Sequence, residues 1–306
     1  MNILVTGGAG FIASHIVDAY VKAGHSVTVI DNLSMGRKEN VNPNAELVVA
    51  DIRSDLVKEI FARGSFDVLN HHAAQMDVRK SVDDPVYDAS VNILGTLNLL
   101  EQARQTGVKK VIFASTGGAI YGEQDYFPAD EEHPTRPVSP YGISKLAIEK
   151  YLFYYQTTFG LRHIIFRYAN VYGPRQNPHG EAGVVAIFTK KILAGDQPVI
   201  NGDGLQTRDY VFVKDVVKAN LLALEMESSD IFNVGTGIET NVNEIFHLIQ
   251  SHTPKMCPEK HGEAKLGEQL RSVLTWRKIH RMHGWHPGMQ LNDGLRETVE
   301  YFRNLM

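Results

Sequence analysis

Short runs of β-branched and aliphatic residues alternate with longer stretches of helical periodicity through the first half of the chain. That pattern predicts a parallel β-sheet wound by crossover helices. Strands are expected at Asn2–Thr6, Ser26–Ile30, Glu46–Ala50, Val68–His72, Lys110–Ala114 and His163–Tyr168. Amphipathic helices are expected at Ala13–Ala23, Pro85–Thr106 and Tyr141–Phe159, the last opened by Ser139-Pro140, a pair suited to a helix start. Beyond about residue 172 the regularity fades and Gly, Pro, Asn and Arg accumulate. Short runs at Val199–Asn201, Asp209–Val213 and Ile231–Val234 there separate helical stretches at Val184–Ala194, Asp215–Met226 and Val242–Ser251, and a final helix follows. The expected organisation is a sheet domain over residues 1–172 and a smaller lobe over 173–306, some of whose segments return to the first domain. Such a lobe would cover the C-terminal ends of the strands, where open α/β folds hold ligands.

Composition narrows the partners. Lys and Arg number 31 against 35 Asp and Glu, a net charge of −4, so no basic field points to nucleic acid or to a membrane surface. The single cysteine, Cys257, has no partner for a disulfide or a metal-binding CxxC, which suits a reducing cytoplasm. The opening MNILVTGGAGFIASHIV lacks the parts of a signal peptide, and no apolar run approaches the ~20 residues that span a bilayer. A cytoplasmic protein with no membrane span is expected.

Asn2–Thr6 runs directly into Gly7-Gly8-Ala9-Gly10-Phe11-Ile12-Ala13 and then a helix, so Gly8, Gly10 and Ala13 fit the G-x-G-x-x-G/A pattern in its strand-turn-helix setting. The glycines permit a tight turn and let the backbone approach a pyrophosphate at the helix N-terminus. Asp31 ends the next strand about 20 residues on, where a carboxylate accepts hydrogen bonds from an adenosine ribose and repels a 2′-phosphate. NAD is favoured, while the nearby Arg37 and Lys38 leave NADP open.

Tyr141 and Lys145 are four residues apart and share a helix face. A phenol with a pKa of about 10 is a poor base at neutral pH, but a nearby ammonium and a cationic nicotinamide both favour the phenolate. Ser115-Thr116 close the fifth expected strand, and a hydroxyl there, Thr116 in preference to Ser115, would share a hydrogen bond with the reacting substrate oxygen. Other features point to structure rather than chemistry. His280, His283 and His286 flank a turn and are read as surface residues with no metal, His71-His72 as packing or loop support, and Cys257 as inert. Tyr151, Phe153, Tyr154 and Tyr155 are read as core or subunit interface.

The strings TGGAGFIAS, DNLS, HHAAQ, NILGT, STGGAIYG, SPYGISK, RYANVYGPRQ, GDGLQTRDYVFVKDV and FNVGTG resemble, in order along essentially the whole chain, the extended short-chain dehydrogenase/reductase superfamily. Within it they most resemble nucleotide-sugar 4-epimerases of the UDP-glucose 4-epimerase type. The resemblance implies a Rossmann-type doubly wound parallel sheet with a smaller C-terminal substrate-binding lobe, and NAD as cofactor. It assigns Gly7, Gly10, Phe11, Ile12 and Asn32 to cofactor binding, Asp31 to the adenosine ribose, and Asp51 and Ile52 to the adenine. Ala73, Ala74 and Gln75 pass the nicotinamide half, with Asn92, Ser115 and Tyr168 also on the cofactor side.

By the same resemblance Tyr141 is the catalytic base and acid, Lys145 holds the nicotinamide ribose and tunes Tyr141, and Thr116 orients the sugar 4-hydroxyl. Asn170 resembles a substrate-binding Asn, and Arg208 an arginine that grips the diphosphate. Lys265 and Glu268 stand where the family usually has Arg and Asp, on phosphate and ribose. Ser272, four residues after Glu268, occupies a position whose small size admits N-acetylated sugars. Leu274-Thr275-Trp276 departs from a family motif that begins Leu-Asp. The implied reaction is inversion at C4 of a UDP-hexose through a 4-keto sugar, in a homodimer joined by the helices at Pro85–Thr106 and Tyr141–Phe159. A 4,6-dehydratase typically carries Asp-Glu after the active-site Thr, and a UDP-glucuronate decarboxylase Ser-Glu; this chain has Gly117-Gly118. A non-catalytic NAD-binding protein would often lack the Tyr or the Lys.

Overall fold

The computed structural model of the chain describes residues 1–178, 183–264 and 269–306. Six strands come first: β1 (Asn2–Thr6), β2 (Ser26–Asp31), β3 (Glu46–Val49), β4 (Val68–His71), β5 (Lys110–Thr116) and β6 (Arg162–Tyr168). Among them run α1 (Phe11–Lys22), α2 (Leu56–Gly64), α3 (Val78–Asp83), α4 (Pro85–Ala89), α5 (Gly95–Thr106), the single turn α6 (Gly117–Ile120) and α7 (Pro140–Phe159). There follow β7 (Asn170–Tyr172), α8 (Val184–Ala194), β8 (Ile200–Asn201), β9 (Thr207–Arg208), β10 (Tyr210–Phe212), α9 (Val213–Ala223) and β11 (Asp230–Val234). The chain closes with β12 (Thr240–Asn241), α10 (Val242–Ser251), β13 (His261–Gly262), β14 (Arg271–Ser272), α11 (Arg277–His283) and α12 (Leu291–Asn304).

Seven strands form one sheet in the order β11-β6-β5-β4-β1-β2-β3, parallel from β3 across to β5. The order reverses at β1, which makes the fold doubly wound and opens a crevice beyond the C-terminal ends of β1 and β4. β4 is buried throughout and β1 nearly so. Burial on both faces is why these strands read as unbroken apolar runs rather than as alternating ones.

The chain forms two compact units. The first comprises Met1–Ile120, Pro137–Arg167 and Val217–Phe232. Its core sets Leu4, Leu69 and Phe113 of the sheet against Leu99, Ile148 and Leu152 of α5 and α7. The second comprises Tyr121–Arg136, Tyr168–Val216 and Asn233–Met306, around a core that includes Phe188, Phe212, Phe246, Leu295 and Val299.

Local chemistry explains most element ends. Ser139 caps α7 by accepting the Gly142 N–H at 3.2 Å, Pro140 occupies the first turn, and Gly160 ends the helix at φ 71°. Asn241 and Glu244 form a reciprocal capping box on α10. Three expectations change. The helix expected over Pro85–Thr106 contains a π turn at Ser90–Leu94 between α4 and α5. α2 adds an element the periodicity reading leaves out. The helix expected to begin at Asp215 begins at Val213.

Candidate active site

The first unit builds its site from the loop after β1. Gly7 has φ 74°, and a Cβ there would lie 2.8 Å from the Ala73 backbone nitrogen, so only glycine fits this close approach of β1 to β4. Gly10 donates to Gly7 O at 2.9 Å and stands at the N-cap of α1 with no side-chain capping bond. The first N–H groups of a helix have no intrahelical acceptor, so this turn, which includes Phe11 and Ile12, is a ready anion cradle.

Asp31 ends β2, buried, accepting from Ala9 N at 3.0 Å and Leu33 N at 2.8 Å. Burial pushes its carboxyl above the usual range, against the pull of those two N–H groups. A carboxylate accepts at about four sites, so two remain for ribose hydroxyls. Asn32 donates to Asp51 at 3.3 Å, and the Arg53 guanidinium holds Asp51 down to about 2. Ile52 is buried beneath Gly95, where a Cβ would come within 2.7 Å of its side chain.

An ordered chain of hydrogen bonds shapes the end of β4. Ala73 N–H donates to Thr6 Oγ1 at 3.1 Å, and Thr6 Oγ1 meets His71 Nδ1 at 2.7 Å. His71 Nε2 meets Thr96 Oγ1 at 2.8 Å, and Thr96 donates onward to Asn92 O at 2.5 Å. Because Thr96 spends its proton on that carbonyl and Thr6 accepts the Ala73 N–H, the network assigns the single imidazole proton to Nε2. Burial, reinforced by Lys145, lowers the pKa of His71 well below its ordinary value. Gln75 is clamped by Asn92, whose Oδ1 accepts the Gln75 N–H and whose Nδ2 donates to Gln75 O, both at 2.9 Å.

Tyr141 and Lys145 share a face of α7, the Lys145 Nζ 5.8 Å from the Tyr141 ring centroid. Nζ also donates to Ala114 O at 2.8 Å and lies 4.8 Å from the centre of the Phe113 ring. Burial pushes Lys145 down to about 8 while the Asp88 and Glu149 carboxylates pull it back up. The two hydroxyls at the end of β5 separate here. Ser115 is buried and donates to Glu149 Oε1 at 2.6 Å, whereas Thr116 is half-buried.

Sequence reasoning missed the polar layer beneath this pair. Arg167 grips Glu149 with both Nε, at 3.1 Å, and Nη2, at 2.7 Å. Asp88, fully buried, accepts from Ser144 Oγ at 2.7 Å, Asn92 Nδ2 at 2.9 Å and Gln75 Nε2 at 3.1 Å. The spacing of Asp88 to Asn92 and of Lys145 to Glu149, four residues in each case, was the available signal.

The second unit brings Asn170, Arg208 and Ser272 onto neighbouring strands. Ser272 pairs with Arg208 in the β14–β9 ladder, and Thr240 pairs with Arg208 from β12. Asn170 N donates to Asp209 O and Asp209 N to Ser272 O, both at 2.9 Å. Arg208 Nη1 donates to Thr207 O at 2.8 Å, and Ser272 is buried. Asp209, also missed, ties this corner together by accepting from Thr236 N and Oγ1, Gly237 N and Leu274 N. A Cβ at Gly235 would lie 2.5 Å from the Asp209 carboxylate, so the close approach of the TRDY and VGTG segments needs glycine there. Tyr168 is buried at the end of β6. Lys265 and Glu268 lie outside the described residues. Among the described residues no helix is long and apolar enough to cross a membrane, and no group of three His, Cys, Asp or Glu is placed to hold a metal.

A doubly wound sheet with an uncapped glycine cradle, a strand-end carboxylate and a Tyr-Lys pair whose lysine is buried defines a dinucleotide-dependent enzyme of extended short-chain dehydrogenase/reductase type. The chain belongs to the NAD dependent epimerase/dehydratase family, which it matches over residues 3–235. It is similar to the UDP-glucose 4-epimerase of Thermotoga maritima solved with UDP-glucose, at 48% identity and a TM-score of 0.98, covering 100% of this chain and 99% of that one. It is also similar to the Thermus thermophilus UDP-glucose 4-epimerase in complex with NAD, at 44% identity and a TM-score of 0.95 with both chains covered in full. A third likeness is the UDP-N-acetylglucosamine 4-epimerase of Methanobrevibacter ruminantium M1 in complex with UDP-N-acetylmuramic acid, at 35% identity and a TM-score of 0.94, covering 100% of this chain and 99% of that one.

Proposed function

We propose that the protein is an NAD-dependent 4-epimerase of UDP-hexoses that interconverts UDP-glucose and UDP-galactose. The observation that carries this reading is the convergence of Tyr141 and Lys145 at the end of β5, in the unit that holds the glycine cradle. The cradle suits the cofactor, since a Cβ at Gly7 would strike backbone and Asp31 keeps acceptor sites for a ribose. When bound, NAD supplies a hydride acceptor for C4 of the sugar and returns the hydride to the opposite face, which inverts the centre with no net redox change.

Tyr141 removes the proton of the 4-hydroxyl as a phenolate and gives it back in the second half-reaction. The Lys145 ammonium stabilises that phenolate and holds the nicotinamide ribose. Thr116 orients the 4-hydroxyl, because the Ser115 hydroxyl is already given to Glu149. Gln75, held by Asn92, and the neighbouring Ala73 and Ala74 line the nicotinamide side, and Tyr168 is assigned to the cofactor as well. Asp51, Asn32 and Ile52 line the adenosine end. In the second unit Arg208 grips the diphosphate through its planar fork, Asn170 engages the substrate, and Lys265 and Glu268 take phosphate and ribose. The small Ser272 admits N-acetylated sugars as well.

The test is to incubate the purified protein with UDP-galactose, without added NAD, and follow the products by NMR. UDP-glucose is the expected product; no turnover, or a 4-keto-6-deoxy sugar, overturns the reading. Run in parallel, UDP-GalNAc should give UDP-GlcNAc, and its strict rejection removes the role given to Ser272.

We further propose a cytoplasmic homodimer. Val86, Leu94, Ile143 and Phe153 are each more than half exposed on the first unit, beside shallow apolar depressions along α4 and α7. Exposed apolar surface of this kind marks an interface. Sedimentation should give a dimer for the native chain and a monomer for Phe153→Glu; a native monomer rejects the assignment.

A further inference from the structure

The first unit buries two carboxylates near Lys145 that the chemistry above leaves unused. Glu149 lies one helical turn beyond Lys145, but the bidentate Arg167 neutralises it. Asp88 of α4 is different. It is fully buried, and its described partners are all neutral: the Ser144 hydroxyl and the Asn92 and Gln75 side-chain amides. A buried carboxylate whose hydrogen bonds come only from neutral donors has no ion pair to offset it, and in a poorly screened interior it acts on cations near it.

Lys145 is a cation on which Asp88 acts. It follows Ser144 directly in sequence, it is buried, and its described hydrogen bond runs to the neutral Ala114 carbonyl. The other groups facing it are Tyr141 and Glu149 on its own helix, the Phe113 ring on β5, and His71 and His72 at the end of β4. Burial lowers both histidines, so at neutral pH they add no positive charge. With Glu149 paired to Arg167, the uncompensated negative charge around Lys145 comes from Asp88.

We propose that Asp88 is a positioning residue for the reaction, its carboxylate serving as the counter-charge that keeps Lys145 protonated while Ser144 and Asn92 hold the start of α7 and the Gln75 loop against it. The inference rests on the Tyr141–Lys145 reading given above. The direction agrees: burial pushes Lys145 down to about 8, and Asp88 is the larger of the two carboxylate influences opposing that fall. Removing the charge lowers Lys145 further, so the ammonium is lost at a lower pH and the alkaline limb of turnover moves toward neutrality.

The experiment titrates Lys145 directly in the NAD-loaded protein labelled with ε-¹³C lysine, its resonance identified by its loss in Lys145→Met. Asp88→Asn should move the midpoint down by about one pH unit, as expected for loss of a neighbouring opposite charge. Ser144→Ala removes a hydrogen bond to Asp88 without touching the charge and should leave the midpoint in place. The kcat for UDP-galactose should follow: Asp88→Asn close to native at pH 6 but about eight-fold lower at pH 8.5, with KM unchanged, as a one-unit displacement from pH 8 requires.

A midpoint unmoved in Asp88→Asn, or moved equally in Ser144→Ala, overturns the inference, as does a kcat lowered by the same factor at every pH. If Asp88→Asn does not fold, Asp88→Ser removes the same charge and is read in the same way. Absence of UDP-galactose turnover in the native chain defeats the functional reading instead, and the lysine titration remains interpretable without it.

Discussion

The buried pair of Glu149 and Arg167 offers a prediction whose size follows from geometry. Their side chains are 2% and 4% exposed, two guanidinium nitrogens bond two carboxylate oxygens, and Ser115 adds a third bond at 2.6 Å. Arg167→Met takes the bidentate partner from the carboxylate and Glu149→Leu takes it from the guanidinium. Either leaves a buried charge without that partner, at a cost of about 3–5 kcal/mol, a large part of a typical total stability of about 5–15 kcal/mol. The double variant removes both charges together. An apolar pair of similar volume often matches a buried ion pair, so its main loss is the Ser115 hydrogen bond, about 1–3 kcal/mol.

The expected order of thermal midpoints is therefore native, then double variant, then either single variant. Each single variant should fall about 10 °C below native, measured by circular dichroism at fixed protein and NAD concentrations. If the two single losses simply add in the double variant, or each single change costs under about 1 kcal/mol, stranded charge is not what sets these stabilities.

Three further outcomes follow. Tyr141→Phe should lower kcat by at least about a hundred-fold and leave UDP affinity within two-fold by calorimetry, and near-normal turnover would remove Tyr141 from proton transfer. Gly7→Ala forces a methyl into left-handed backbone, at about 1–2 kcal/mol, and against the Ala73 nitrogen, so the variant should purify with much less NAD, read by absorbance after release. His71 and His163 are buried, with His163 pushed down to about 4, so they take up a proton only on unfolding, near pH 6.5. Stability is then intact above about pH 7 and falls as pH drops below 6.5, by about 2 kcal/mol per histidine at pH 5. A thermal midpoint unchanged between pH 7.5 and pH 5 would contradict this.

Residues that act through local spacing were legible in the chain. The parallel α/β layout, the glycine turn, Asp31 at its strand end and the Tyr141–Lys145 pair all rest on short-range periodicity or on backbone conformations that few residues adopt. Strands β1 to β6 come within two residues of their expected bounds because a strand buried on both faces must be an apolar run. Much of what the periodicity reading leaves out has no such local signature, although α2, with Val57, Ile60 and Phe61 at helical spacing, does. The two-residue strands β9 and β14 are too short to show alternation, yet they bring Arg208 beside Ser272. The π turn that turns Asn92 inward is invisible in a pattern that suits a continuous helix.

The polar layer was the least legible part. Asp88 meets Ser144 across 56 positions, Ser115 meets Glu149 across 34, and Asp209 meets Leu274 across 65. Only tertiary structure decides such pairs, because a buried charge or hydroxyl must find a partner, and that partner is set by which strands and helices the fold brings together rather than by distance along the chain. The sequence by itself determined which groups could carry the chemistry; the fold decided which hydroxyl of Ser115 and Thr116 stays available and which carboxylate faces Lys145 uncompensated.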